Sequence, residues 1–380
     1  MAKAPRIFST DDARRLAKQR LPRMIFDFVD GAAGREAGKA RNEARFDAIF
    51  LQPRALADVS VRSLATRILG RDYGLPIGIA PMGMCNLAHP GADKQIAKCG
   101  KVLNIPVCLS SAGSSSLVEM RDWSGDLAWF QLYFGQSKEA SLGAVERARQ
   151  AGYDTLILTV DVPEVSRRVR DQQNGFNLPF HMTPRAFLDF ALHPRWSIAT
   201  LAHGVPRPRN FASEGKGFDR KASRAGADWE FLQLLRDTWK GKLIVKGITS
   251  AEDAGRVQSL GVDAIYVSNH GGRQLDSVPP AIDLLAIVRD AVGTNYPLLF
   301  DSGVRNGEDV VKAIAQGADF VMLGRPVLYA LAAAGGPGLQ NLLQCFQEDI
   351  DLAMAQIGSS RIEEIGPHTL AARADPPKFQ

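Results

Sequence analysis

The chain is short of several things, and each shortage closes off a class of protein. Its 380 residues include four cysteines, Cys85, Cys99, Cys108 and Cys345. None forms a C-x-x-C pair, and so few in so long a chain make no disulfide framework. They are read as reduced thiols of a cytosolic compartment. No apolar stretch approaches the ~20 residues needed to span a bilayer. The opening MAKAPRIFSTDDARRL has no apolar core, so no secretory signal is visible. The net charge is only +5, and no Lys/Arg run interleaves with aromatics, which argues against nucleic acid as a partner. No G-x-G-x-x-G turn follows an early strand, which counts against a doubly wound dinucleotide-binding sheet. No H-x-x-x-H pair is present, so no metal is expected. His89, His181, His193, His203 and His368 receive no role.

What is present is a repeat. Hydrophobic residues make up 45% and charged residues 23%, an ordinary globular balance with enough bulk for a large core. Apolar runs recur at 75–83, 105–110, 127–133, 155–161, 243–248, 264–270, 297–303 and 320–326. Runs this apolar suit strands covered on both faces, as in a parallel sheet. Three junctions, AGYDTLILTVD, LGVDAIYVSNH and QGADFVMLGRP, share one pattern: Gly152, Gly261 and Gly317 each precede an aspartate by two residues, and a strand follows. Glycine ends a helix cheaply in the left-handed conformation. Ser250, and Asn306 with Asp309 three residues on, read as helix N-caps. Eight strands with alternating helices predict an α/β fold, a (β/α)8 TIM barrel over about 75–330. An N-terminal helical segment precedes it, a loop is expected at 335–338, and a final helix runs to about Gly358. The whole of 1–380 reads as one domain.

Barrel enzymes build their sites at the C-terminal ends of the strands. Here those ends carry Pro81, Met82 and Gly83; Ser110; Gln131 and Tyr133; Thr159 and Asp161; Lys246; Ser268 and His270; Asp301, Ser302 and Gly303; Gly324 and Arg325. Wet loops explain one or two such residues. They do not explain lysine, histidine, aspartate and arginine together at one end. Glycine turns after the last two strands, with Arg305 and Arg325, suit a phosphate. Lys246 fits a Schiff base or a fixed cation beside developing negative charge. His270 is a candidate base, with Asp161 to orient it. Arg273 and Arg168 near one histidine suggest a substrate carboxylate. In RRVR (167–170) the remaining basic residues read as a solvated face. Three classes fit: a flavin enzyme oxidising 2-hydroxy acids, a Schiff-base barrel acting on a phosphorylated sugar, and a non-catalytic ligand-binding barrel.

The stretch SNHGGRQLD (268–276) resembles the signature of the FMN-dependent α-hydroxy acid dehydrogenase and oxidase family. LPRMIFDFVDGAAG, IAPMGMCNLAHP, WFQLY, LTVDVP, IVKGI, DSGVRNGEDVVKAIAQGA and LGRPVLYALA match in the same order, so the resemblance covers nearly the whole chain. It implies FMN as cofactor and oxidation of an L-2-hydroxy acid to the 2-oxo acid by hydride transfer to flavin N5. His270 is the implied base with Asp161 as its partner, and Arg273, Arg168 and Tyr133 bind substrate. Pro81, Met82, Gly83, Ser110, Gln131, Thr159, Lys246 and Ser268 contact the flavin, and Asp301, Ser302, Gly303, Arg305, Gly324 and Arg325 hold its phosphate end. A homotetramer is the common assembly among such relatives.

Three positions depart from the family pattern or discriminate within it. Phe28 stands where relatives carry a tyrosine that reaches the substrate carboxylate. Ala112 replaces a bulky tryptophan of some oxidases. Gly83 matches the dehydrogenases, so a quinone or another non-oxygen acceptor is expected, the alternative being an oxidase that makes hydrogen peroxide.

An insertion of about 176–228 follows the fourth strand, far longer than the ~2–6 residues of most βα loops. Thr183-Pro184 predicts a short helix. Phe187, Phe190, Trp196, Ile198 and Leu201 mix with Arg185, Arg195, Arg207 and Arg209. Two readings fit 176–224: a lid over the substrate, or a peripheral membrane contact on the cytoplasmic face of the inner membrane. Its resemblance to the matching segment of quinone-reducing relatives implies the second.

Overall fold

A computed structural model describes residues 6–177, 180–211 and 223–371. Among the described residues ten strands are present: β1 (Thr66–Ile68), β2 (Arg71–Tyr73), β3 (Ile77–Met82), β4 (Val107–Ser110), β5 (Ala128–Leu132), β6 (Thr155–Thr159), β7 (Lys242–Ile248), β8 (Ala264–Val267), β9 (Leu298–Phe300) and β10 (Phe320–Leu323). The last eight close into a barrel in chain order, with β10 pairing back onto β3. The expected (β/α)8 architecture is therefore the observed one. The residues of β4, β5, β6, β8, β9 and β10 are all buried, which is why each reads as an unbroken apolar run.

The repeated junction has a physical basis. Gly152, Gly261 and Gly317 take φ of 82°, 70° and 107°. In two of the three, the aspartate side chain accepts the first free N–H of the adjacent strand: Asp263 from Leu243 at 2.9 Å and Asp319 from Leu298 at 2.7 Å. One short motif thus ends a helix and fixes the start of the neighbouring strand. Ser250 and Asn306 cap their helices as expected, accepting from Asp253 N at 3.2 Å and Asp309 N at 2.8 Å.

Two features differ from the sequence reading. β1 and β2 form an antiparallel hairpin before the barrel, where only helices were expected. Its turn is Leu69-Gly70, both at positive φ. Hairpins of this kind are usually signalled by Asn-Gly or Asp-Gly, and a leucine gives no such cue. Second, the helix Arg325–Ile357 breaks only at Ala334 and Gly335, and Gly336 to Gly338 already belong to its second half. Pro337 is tolerated there because the first turn of a helix needs no N–H from it.

Before the hairpin lie the helices Thr10–Arg20, Arg23–Asp30 and Ala37–Asp47. After β6 come the short helix Val169–Gln173 and, within the insertion, the helices Pro184–Ala191 and Pro194–His203. Thr183 caps the second of these, accepting from Ala186 N at 3.1 Å. Of the segment 176–224, residues 178–179 and 212–222 lie outside the described residues.

Candidate active site

The C-terminal end of the barrel is shaped by two irregularities. The pairing of β7 with β8 slips between Lys246 and Ile248, leaving Gly247 at φ 105°. A Cβ at Gly247 would lie 2.6 Å from Asp161 Cβ, so only glycine lets Asp161 approach Lys246 there. After β8, Asn269 and Asn42 exchange a reciprocal pair of amide hydrogen bonds at 2.8 Å. Asn269 also accepts from Gly272 N at 3.3 Å. The tightened turn holds His270 at φ 57°, a left-handed conformation costing a non-glycine residue about 1–2 kcal/mol. The imidazole is thereby thrown into the cavity at the barrel mouth.

His270 Nδ1 lies 2.9 Å from Asp161 Oδ1. Opposite a carboxylate, Nδ1 must carry the hydrogen, which leaves a lone pair on Nε2. Nε2 accepts from the Tyr133 hydroxyl at 3.4 Å. Burial pushes the His270 pKa below its ordinary value, against the pull of Asp161, so the ring is neutral at neutral pH. Asp161 is also buried, yet its pairing with His270, which is charged only once protonated, and the Lys246 cation hold its carboxyl below the usual range. Tyr133 is raised by burial and stays protonated.

Lys246 is buried between two carboxylates, 3.9 Å from Asp161 Oδ2 and 3.7 Å from Asp301 Oδ2. It donates to Ser268 Oγ at 2.8 Å. Burial favours a neutral amine, but the two carboxylates outweigh it and raise the pKa. A Schiff-base lysine needs the opposite shift. This environment fixes a cation and does not make a nucleophile.

Of the residues expected to form the site, the structure brings Pro81, Met82, Gly83, Tyr133, Arg168, Lys246, His270, Arg273, Asp301, Ser302, Gly303, Arg305, Gly324 and Arg325 to one cavity. Ala112 and Phe28 line it too. Ser110, Gln131, Thr159 and Ser268 do not line it and lie buried. Ser110 Oγ donates to Gln131 at 2.6 Å, and Gln131 Nε2 donates to Thr159 Oγ1 at 2.9 Å. Ser268 Oγ bonds Asp301 at 2.5 Å. These groups form a polar belt across the strand ends.

Arg325 spends two nitrogens on backbone carbonyls, Gly271 at 2.9 Å and Gly31 at 2.7 Å. Its buried Nε has no partner among the described residues. Arg273 donates to the carbonyls of Phe28 and Gly31. Phe28 stacks on Phe176 with ring centres 4.5 Å apart.

Two groups were missed in the sequence. Arg224 lines the cavity with its guanidinium 5.1 Å from the centre of the Tyr133 ring. It sits at the far end of the insertion, and no local pattern marks it. Arg170 is not on a solvated face, as RRVR suggested. It bonds Asp27, Asp30 and Glu36 at 2.7–2.8 Å, tying the helix that carries Phe28 to the short helix Val169–Gln173.

The residues present fit FMN. Orphaned Arg325 Nε, Arg305, the Ser302–Gly303 turn and Gly324 are a donor set for a phosphate. Ala80, Pro81, Met322 and Leu328 give the same cavity an apolar wall suited to a planar ring. Residues 17–372 match the family described as FMN-dependent dehydrogenase. The chain belongs to that family. Its cofactor is FMN, and it is an oxidoreductase.

Among relatives of this FMN-dependent dehydrogenase, (S)-mandelate dehydrogenase from Pseudomonas putida is 40% identical, the match spanning 96% of this chain and 94% of that one. An L-lactate dehydrogenase from Chromohalobacter salexigens is 36% identical over 96% and 95%. The solved structure of monotopic membrane protein (S)-mandelate dehydrogenase superposes with a TM-score of 0.91 at 40% identity, covering 96% and 99%. A mandelate oxidase superposes with a TM-score of 0.83 at 34% identity, covering 97% and 100%.

Proposed function

We propose that this enzyme oxidises an L-2-hydroxy acid to the 2-oxo acid, with His270 as the base. The observation that carries the reading is the His270–Asp161 pair at 2.9 Å, facing a cavity lined by Tyr133, Arg168 and Arg273. The arginines hold the substrate carboxylate, and the Tyr133 hydroxyl orients the substrate oxygen. Neutral His270 Nε2 takes the proton of the 2-hydroxyl, and Asp161 stabilises the imidazolium that results. Bound FMN supplies the two-electron acceptor for the hydride that leaves C2. Lys246, held charged by Asp161 and Asp301, keeps a fixed positive charge beside the cavity. Phe28, Val162, Val165 and Phe176 make part of the wall apolar, which suits an acid with an aliphatic or aryl substituent. Anaerobic mixing with a panel of L- and D-2-hydroxy acids tests this: an L-acid bleaches the flavin, and His270→Gln keeps the flavin but is not reduced. Reduction of His270→Gln at the normal rate would overturn the assignment of the base.

A membrane quinone is the proposed electron acceptor, and peripheral attachment the proposed location. Gly83 lines the cavity, and a Cβ there would meet Ala112 Cβ at 3.0 Å. No helix among the described residues is long and apolar enough to cross a membrane. The helices Pro184–Ala191 and Pro194–His203 instead expose Phe187, Leu188, Leu192, Ile198 and Leu201, the last at 74%. Such a face with flanking arginines suits a monotopic contact. A lid would bury it. Admitting oxygen to the reduced enzyme gives slow reoxidation and a soluble quinone fast reoxidation; the reverse order favours an oxidase.

A further inference from the structure

Beside the insertion lies a second cavity whose two arginines have no ion-pair partner among the described residues. It encloses about 390 Å³ between Arg20 at the end of the first helix, His89 in the segment after β3, and His193, Arg195 and Trp196 of the insertion. Among the described residues, neither Arg20 nor Arg195 has an ion-pair partner. The charge of Arg195 adds to burial in lowering the Arg20 pKa. His89 is lowered by burial, and the charges of His203 and Arg20 also bear on it. The carboxylate of Asp189, on the preceding helix, is already engaged: it accepts from Met24 N at 3.4 Å and lies 3.5 Å from His193 Nδ1.

We propose that this cavity binds the phosphate of an anionic phospholipid headgroup. The proposal rests on the peripheral-attachment reading above and deepens it by naming where the lipid is held. Two guanidinium groups lining one cavity repel, and an anion between them removes that repulsion. Arginine is the side chain best matched to a phosphate, because its fork donates two parallel hydrogen bonds. The walls are fixed rather than collapsible: Trp196 is buried and its Nε1 donates to Leu87 O at 2.8 Å, pinning the insertion to the barrel body. The lipid source follows from the rim. Leu192 lines the cavity and is 69% exposed, and Ile198 and Leu201 lie exposed on the next helix. A phosphate seated between Arg20 and Arg195 leaves its acyl chains beside that apolar face.

The test uses full-length, FMN-loaded enzyme and co-sedimentation with vesicles of phosphatidylcholine, alone or mixed with phosphatidylglycerol. Arg20→Gln/Arg195→Gln is compared with Arg185→Gln/Arg207→Gln, which removes the same charge from the insertion outside the cavity. The expected result is that the cavity pair weakens binding to the mixed vesicles at least tenfold more than the control pair. Both leave flavin reduction by substrate unchanged. Equal losses for the two pairs mean diffuse attraction and overturn the site, while the attachment reading stands. A wild-type enzyme that binds neither vesicle overturns both. Should inorganic phosphate at constant ionic strength protect the wild type against heat but not the cavity pair, while vesicle binding is the same in both, the site takes free phosphate and the lipid assignment falls. Arg195 is exposed, so Arg195→Gln alone keeps the comparison readable if the double variant does not fold. It should lose at least threefold more than Arg185→Gln, and equal losses again overturn the site.

Discussion

The two ends of this barrel are made by the same eight strands and hold opposite things. At the N-terminal end, Ile68 and Tyr73 of the hairpin close onto Trp129, Phe320, Ile157 and Leu299 inside the barrel. Tyr73 meets Trp129 and Phe320 edge to face, with ring centres 6.2 and 5.5 Å apart. At the C-terminal end, polar side chains surround Lys246, Asp161 and Asp301, and His270 sits in a strained backbone conformation. One end contributes apolar burial and tight packing. The other holds buried charges and strain, which that packing must support. The difference teaches that stability and chemistry are separable along the strand axis, and substitutions should fall cleanly into one class or the other.

The largest effect expected is at the mouth. His270→Gln should slow flavin reduction on the order of 10⁴-fold, the upper range for losing a general base, with the melting temperature little changed. A loss of stability instead of rate would blur the division between the ends. At the opposite end, Tyr73→Ala should cost about 3–5 kcal/mol in denaturant unfolding, as deletion of a buried aromatic does. Reduction per flavin-loaded molecule should stay normal, and a changed rate constant would show that the plug is felt at the mouth. Asp161→Asn should lower the rate constant about 100-fold by releasing the imidazole from its orientation. It should also move the acidic limb of the rate profile. His270 has a pKa below 6.5 because burial outweighs Asp161, so reduction should hold through pH 6.5 and fall only at lower pH as the ring protonates. Removing the carboxylate removes the group that favours the imidazolium, so the limb shifts further down; an upward shift would contradict the pairing. The smallest effect is expected for Phe28→Tyr. A hydroxyl reaching the substrate carboxylate would tighten binding by about 1.5 kcal/mol, roughly tenfold in KM. An unchanged KM would show that the ring stacked on Phe176 is not directed at the carboxylate.

Legibility in the sequence followed the same division. The barrel strands were readable because burial on both faces writes an unbroken apolar run. The helix stops and caps were readable because glycine, serine and asparagine act within a few residues of themselves. His270, Asp161 and Lys246 stood out as ionisable groups at the ends of apolar runs. The hairpin was not readable: its strands are three residues long and its turn begins with leucine. Arg170 and Arg224 were not readable either, since a basic residue in a loop looks the same whether it faces water or a buried aspartate. Ser110, Gln131, Thr159 and Ser268 were read as individual contacts, and only the structure shows the first three hydrogen-bonded in a row and Ser268 bonded to Lys246 and Asp301.

The sequence alone determined the eightfold alternation of strand and helix, the polar strand ends and the family signature. These depend on local rules: periodicity, capping, and the identity of residues within a short window. The tertiary structure decided which of those polar groups meet. It set the bulge at Gly247 that admits Asp161 beside Lys246, and it placed Arg20 and Arg195, far apart along the chain, around one cavity. Such meetings are fixed by how distant segments pack, and the energy of a buried charge depends on what lies within a few ångströms of it in space, whatever the separation along the chain.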